Sequence, residues 1–91
     1  MKITFLGGGN MANALIGGML KQGFAPADIA VVEPGRDARD RLQAYAVNCL
    51  ESAEMLGSTG DLLVLAVKPQ QMRNAVAPLV GKLGDAVVVS I

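Results

Sequence analysis

Residues 2–12, Lys2-Ile-Thr-Phe-Leu6 followed by Gly7-Gly8-Gly9-Asn10-Met11-Ala12, run from apolar residues through three glycines into a helical pattern. The order reads as strand, tight turn, helix, and the register is G-x-G-x-x-A. A buried parallel strand accounts for the apolar run, and the glycines let the backbone turn sharply enough for the helix N-terminus to face whatever lies above the strand end. Gly7 is expected to make the turn and Gly9 to let the backbone approach a ligand without a Cβ in the way. Ala12 is expected to keep the helix close to the strand. Free N–H groups and the positive end of the helix dipole meet an anion there, which makes a pyrophosphate the fitting occupant. The alternative is a glycine turn that is merely structural. The flanking strand and helix favour dinucleotide binding.

The rest of the composition narrows the reading. Ninety-one residues, 52% of them hydrophobic, suffice for one packed domain and no more. Eight basic and eight acidic side chains cancel, which leaves no electrostatic footprint for nucleic acid or an anionic membrane. Any phosphate binding must therefore be local. One cysteine, Cys49, excludes an internal disulfide, and the absence of histidine removes both a metal cluster and a histidine base. Cys49 reads as a small buried hydrophobe. Glycines and Asn10 interrupt the first apolar run too early for a signal peptide, and no stretch has the length of a membrane span, so the expected location is cytoplasmic.

Beyond the glycines, Met11, Ala14, Leu15, Ile16, Gly18, Met19 and Leu20 form a wide apolar stripe closed by Gly23 as the C′ residue. Met11 and Met19 are expected to pack, Gly17 and Gly18 to let the helix lie close against the sheet, and Asn10 to cap the helix, touch the ligand, or both. A turn at Pro26–Asp28 leads to a second strand over Ile29–Val32, which ends at Glu33-Pro34-Gly35-Arg36. In a doubly wound sheet an acidic residue at this junction accepts from the adenosine ribose 2′-OH, whereas an arginine accommodates a 2′-phosphate. Glu33 follows Gly9 at close to the roughly 20-residue spacing of the fold. Arg36 stands within reach, or else belongs with Arg39 and Arg41 to the solvated face of the next helix.

Ala38, Leu42 and Tyr45 mark that helix, and Val47–Leu50 a short strand. A brief helix over Ser52–Leu56 ends at Gly57, and Leu62–Val67 is the strongest strand, apolar throughout and so expected to be buried on both faces. Lys68-Pro69-Gln70-Gln71 opens a helix with Met72, Ala75, Val76 and Leu79 on its apolar side, broken near Pro78. A further buried strand is expected over Ala86–Ile91. The sequence stops on that strand, so the 91 residues are read as part of a longer enzyme. Alternating strands and helices define an α/β, doubly wound parallel sheet of Rossmann type. Its ligand lies outside the carboxyl ends of the strands, where Gly7–Ala12, Glu33–Arg36 and Val67–Pro69 meet.

FLGGGNMANALIGGML at residues 5–20 with LLVLAVKPQ at residues 62–70 resembles the pyrroline-5-carboxylate reductase family over the whole chain. The resemblance implies that Leu6, Gly7, Gly8, Gly9, Asn10 and Met11 wrap the pyrophosphate, and that Ala66, Val67, Lys68 and Pro69 border the nicotinamide half of NADP(H) or NAD(H). It implies hydride transfer to the C=N carbon of 1-pyrroline-5-carboxylate to give L-proline. It also implies a following helical domain, absent here, that forms the homo-oligomer and most of the substrate pocket. Family members often carry Ser, Asn or Arg after the second strand, where this chain has Glu33, and Asn near position 53, where it has Ala53. No residue is assigned as catalytic. Two other readings are a 3-hydroxyacid dehydrogenase, against which Lys68-Pro69-Gln70 argues, and a non-catalytic nucleotide-sensing module.

Overall fold

The strand Ile3–Leu6 (β1) takes the centre of the sheet. In the computed structural model, which describes residues 1–91, it is flanked by Ile29–Val32 (β2) and Leu62–Leu65 (β4). Asn48–Leu50 (β3) lies beyond β2, and Val87–Ser90 (β5) beyond β4, giving the order β3-β2-β1-β4-β5. Every pairing is parallel, with Ile3 opposite both Ile29 and Leu62. The period-2 alternation of side chains divides the apolar residues between two layers. On one face Ile3, Phe5, Ile29, Val31 and Val64 pack against Ala12 and Ile16 of the helix Asn10–Lys21 (α1) and Leu42 of the helix Arg36–Leu42 (α2). On the other, Leu6, Val32 and Leu63 meet Ala53, Leu56 and Leu79. Both faces are covered, as the continuous apolar strands require.

The elements follow the sequence closely, with three corrections. The apolar stripe of α1 does not all face the sheet: Ala12 and Ile16 are buried, whereas Met11 and Leu15 are 61% and 42% exposed and Ala14 is also exposed. Met11 is therefore not a packing residue within this chain. The helical glycines do not mark sheet contact either, since a Cβ on Gly17 would meet the Tyr45 hydroxyl at 3.0 Å and one on Gly18 would meet nothing. Strand β5 is an edge rather than a buried strand, and Val87, Val88 and Val89 are 61%, 47% and 41% exposed.

Two terminations behave as the sequence indicates. Gly23 at φ +100° ends α1, with its N–H donating to the Leu20 carbonyl and that of Phe24 to the Met19 carbonyl, the paired bonds of a Schellman motif. The last helix is the short segment Met72–Val76 (α3) between 3₁₀ turns at Pro69–Gln71 and Ala77–Leu79, so Pro78 sits where the helix has already stopped.

Candidate nucleotide site

At the carboxyl end of β1 the three glycines have three different tasks. Gly7 adopts φ +103°, and its N–H donates to the Val32 carbonyl at 2.8 Å. A Cβ there would stand 2.5 Å from the Ala66 carbonyl oxygen, so the segment just after β4 leaves room for no side chain. Gly8 is buried under Leu42 and Glu33, where a Cβ would lie 2.8 Å from Leu42 Cδ1. Gly9 is exposed, and a Cβ on it would touch nothing within 4 Å. That is the arrangement expected where the missing side chain makes room for a ligand rather than for the protein itself.

Gly9 is also the N-cap of α1, and no side chain caps the helix. Asn10 is thus the first helical residue and not the cap, a correction to one reading of the sequence. Its side chain and that of Met11 stand exposed beside the uncapped turn. The first-turn amides keep their donor capacity for an anion, with the helix dipole behind them.

Beside the glycine turn opens a cleft of about 540 Å³, within the range of small-molecule sites. Its floor is Leu6, Gly7 and Val32; one wall is Glu33-Pro34-Gly35, a second Glu51-Ser52-Ala53, and a third Val67 with Gln71, Asn74, Ala75 and Pro78. Glu33 points inward. Its Oε1 accepts from the Gly8 N–H at 2.8 Å and its Oε2 from the Gly35 N–H at 2.7 Å. The Ser52–Ala53 wall is held from behind, because Lys82 Nζ donates to the carbonyls of Ala53 and Glu54 at 3.4 and 3.2 Å.

Of the residues singled out in the sequence, Leu6, Gly7, Glu33 and Val67 line this cleft, with Gly8 beneath it. Ala66 is half-buried and presses its carbonyl on Gly7. Lys68 and Pro69 continue outward from Val67 as exposed residues, and Arg36 is an 85% exposed side chain whose one ion pair, to Asp40, spans 4.0 Å. None of these three lines the cleft. Arg39 is not on a solvated face; its guanidinium is turned onto the Glu33–Pro34 turn. Gln71, Asn74 and Pro78 were missed. They follow one another at three and four residues along the helical segment 69–79, a spacing that puts them on one side of it and a signal hidden when only apolar positions are followed.

Two ionisable groups are perturbed. On β3, Cys49 is half-buried rather than the buried hydrophobe expected, and this partial burial pushes its thiol above its ordinary value, against the opposing pull of the Arg39 charge. At the far end of the sheet, the hydrogen bond and charge of Lys2 hold Asp28 below the usual carboxylate range across a 3.0 Å pair. Neither touches the cleft.

A strand turned by Gly7, an open Gly9, an uncapped helix and an inward carboxylate at the carboxyl ends of parallel strands define a dinucleotide-binding α/β domain. The chain belongs to the NADP oxidoreductase, coenzyme F420-dependent family, whose model matches residues 2–91. It is similar to the pyrroline-5-carboxylate reductase of Pseudomonas aeruginosa, 40% identical over 81 residues that cover 85% of this chain and 30% of that protein. The enzyme of the same name from Haemophilus influenzae is 37% identical over 90 residues, covering 98% and 33%. The solved pyrroline-5-carboxylate reductase of Coxiella burnetii superposes with a TM-score of 0.87 at 31% identity, over 99% of this chain and 34% of that one. The resemblance to the pyrroline-5-carboxylate reductase family is borne out. The chain spans about a third of the length of the relatives it matches. No helix is long and apolar enough to cross a membrane.

Proposed function

We propose that these residues are the NAD(P)H-binding part of a pyrroline-5-carboxylate reductase. The observation that carries the reading is the open space at Gly9 over an uncapped helix, next to a cleft containing Glu33. The amides of the first turn of α1 would hold the pyrophosphate, Glu33 would receive a ribose hydroxyl, and Ala66–Pro69 would border the nicotinamide. The cofactor, when bound, supplies the hydride for reduction of a cyclic C=N bond. The chain's own contribution is to bind and orient, and no residue in it takes an acid, base or nucleophile role.

NADP(H) and NAD(H) make different demands. A ribose hydroxyl donates to Glu33 where it stands. A 2′-phosphate must instead face that carboxylate, and Arg36 is the side chain free to offset the repulsion, since an exposed pair with Asp40 is worth at most about 1 kcal/mol. We read the site as taking either cofactor, with Arg36 recruited for NADP(H). Balanced charge supports small-molecule partners over nucleic acid. A cytoplasmic location and homo-oligomeric assembly, through sequence that the relatives have and these residues do not cover, complete the proposal.

Calorimetric titration with NADH and NADPH tests it. Both are expected to bind, and Arg36→Ala is expected to weaken NADPH about three- to tenfold with NADH unchanged. Failure of either cofactor to bind would remove the reading.

A further inference from the structure

We infer that Arg39 is a positioning residue for the nucleotide site and acts through Glu33. The inference rests on the reading of the site given above. Arg39 lies one turn into α2, at a place where helix periodicity puts a charge in water, yet its side chain is only 16% exposed. It folds back over the start of its own helix. A single nitrogen, Nη1, donates to the Glu33 carbonyl at 2.9 Å and to the Pro34 carbonyl at 2.7 Å, while Nη2 reaches Glu51 Oε1 at 3.4 Å.

Gripping two successive carbonyls fixes the peptide planes on both sides of Pro34, whose φ is already restricted by its ring. With its backbone fixed, Glu33 presents its carboxylate in one direction, toward the amides of Gly8 and Gly35. The guanidinium is thus one link in a line from Glu51 after β3, through the β2 turn, to the glycine turn after β1. The line joins two walls of the cleft, Glu33–Gly35 and Glu51–Ala53, to its floor. A lysine cannot replace it, because one compact ammonium on a flexible stem lacks the rigid fork that spans these acceptors. Arg39 itself does not line the cleft, so its effect on a ligand must pass through the groups it holds.

A double-mutant cycle read by NADH titration tests this. Arg39→Lys is expected to weaken NADH about tenfold in the parent chain and less than about twofold when Glu33 is already alanine, because residues acting through one another are not additive. A second readout is the Gly8 amide resonance, which is expected to shift in Arg39→Lys. Glu51→Gln, which loosens the same guanidinium more gently, is read by the same cycle if the lysine variant does not fold. An equal loss of affinity in both Glu33 backgrounds would overturn the inference, as would an unmoved Gly8 resonance. A parent chain that binds no NADH would overturn instead the functional reading on which the inference stands.

Discussion

Gly7 and Gly9 stand two residues apart, and a methyl group would have opposite consequences at each. At Gly7 the left-handed backbone costs a non-glycine residue about 1–2 kcal/mol, and the Cβ also drives into the Ala66 carbonyl at 2.5 Å. Gly7→Ala is expected to lose about 2–4 kcal/mol in all, measured as a lower denaturant midpoint. At Gly9 the backbone is extended and the space empty. Gly9→Val is expected to cost no more than about 1 kcal/mol of stability while abolishing NADH binding, because the branched side chain would fill the proposed pyrophosphate position. Undiminished binding by that variant would take the turn out of the site. Cys49 gives a second check at this scale. Its raised pKa means the folded chain favours the neutral thiol: that contribution is complete below the ordinary value of 9.0 and is lost as pH rises through the raised one. Alkylation by iodoacetamide near neutral pH should therefore run slower than for an unstructured peptide thiol, and an equal rate would contradict the burial. The residues legible in the sequence are those whose place is set by the backbone: Gly7 at the turn, Gly9 at the helix N-terminus, Ala12 against the sheet and Glu33 at the end of β2. Arg39 was illegible because its two shortest bonds go to main-chain carbonyls, which every residue carries.

Among the elements, α1 shows where periodicity loses its power. It is apolar around most of its circumference, so spacing announced a helix but could not choose between the face carrying Ala12 and Ile16 and the one carrying Met11 and Leu15. Its C-terminus was fully readable, since only a residue at ease with φ +100° suits the position of Gly23. Gly23→Ala is expected to destabilise by about 1–2 kcal/mol and to leave NADH affinity unchanged, because it lies at the opposite end of α1 from Gly9. Paired melting and titration experiments check both halves of that statement. Strand β5 teaches a related lesson: an apolar run reports what a strand is suited to bury, and the cover itself must come from elsewhere. Its exposed valines and unpaired edge are suited to recruit another strand. Val88→Lys is expected to lower the average mass of concentrated samples in sedimentation equilibrium, and an unchanged mass distribution would show that the edge does not drive association.

For the molecule as a whole, the alternation of strands and helices was enough to read the sheet as parallel and doubly wound, and to bring the glycine turn, Glu33 and Val67 together at the carboxyl ends of its strands. What it could not show was how completely a cleft would be walled. The cleft beside Glu33 has three walls, whereas Lys68 and Pro69 run outward with nothing of this chain over them. Hydride transfer needs donor and acceptor carbons held about 3–3.5 Å apart, a constraint that supplies roughly 7–11 kcal/mol of the rate enhancement. These residues offer no surface to hold an imine there. The 91-residue chain is expected to bind NADPH without oxidising it in the presence of 1-pyrroline-5-carboxylate, followed by NADPH absorbance beside a full-length relative. Turnover approaching that of the relative would show that the chemistry resides in these residues after all.

The central position of β1 also sets a timetable for biosynthesis. Ile3 leaves the ribosome well before its neighbour Leu62, 59 residues further along the sequence. At about 5–20 residues per second the delay is roughly 3 to 12 s. Until β4 is made, Phe5 and Leu6 have at most β2 on one flank and an open ladder on the other. Local helices can form meanwhile, but pairings this distant in sequence close slowly even in the finished chain. The nascent polypeptide is thus most open to misassociation before β4 arrives, and a chaperone that shields β1 would act on a strand made well before its second neighbour.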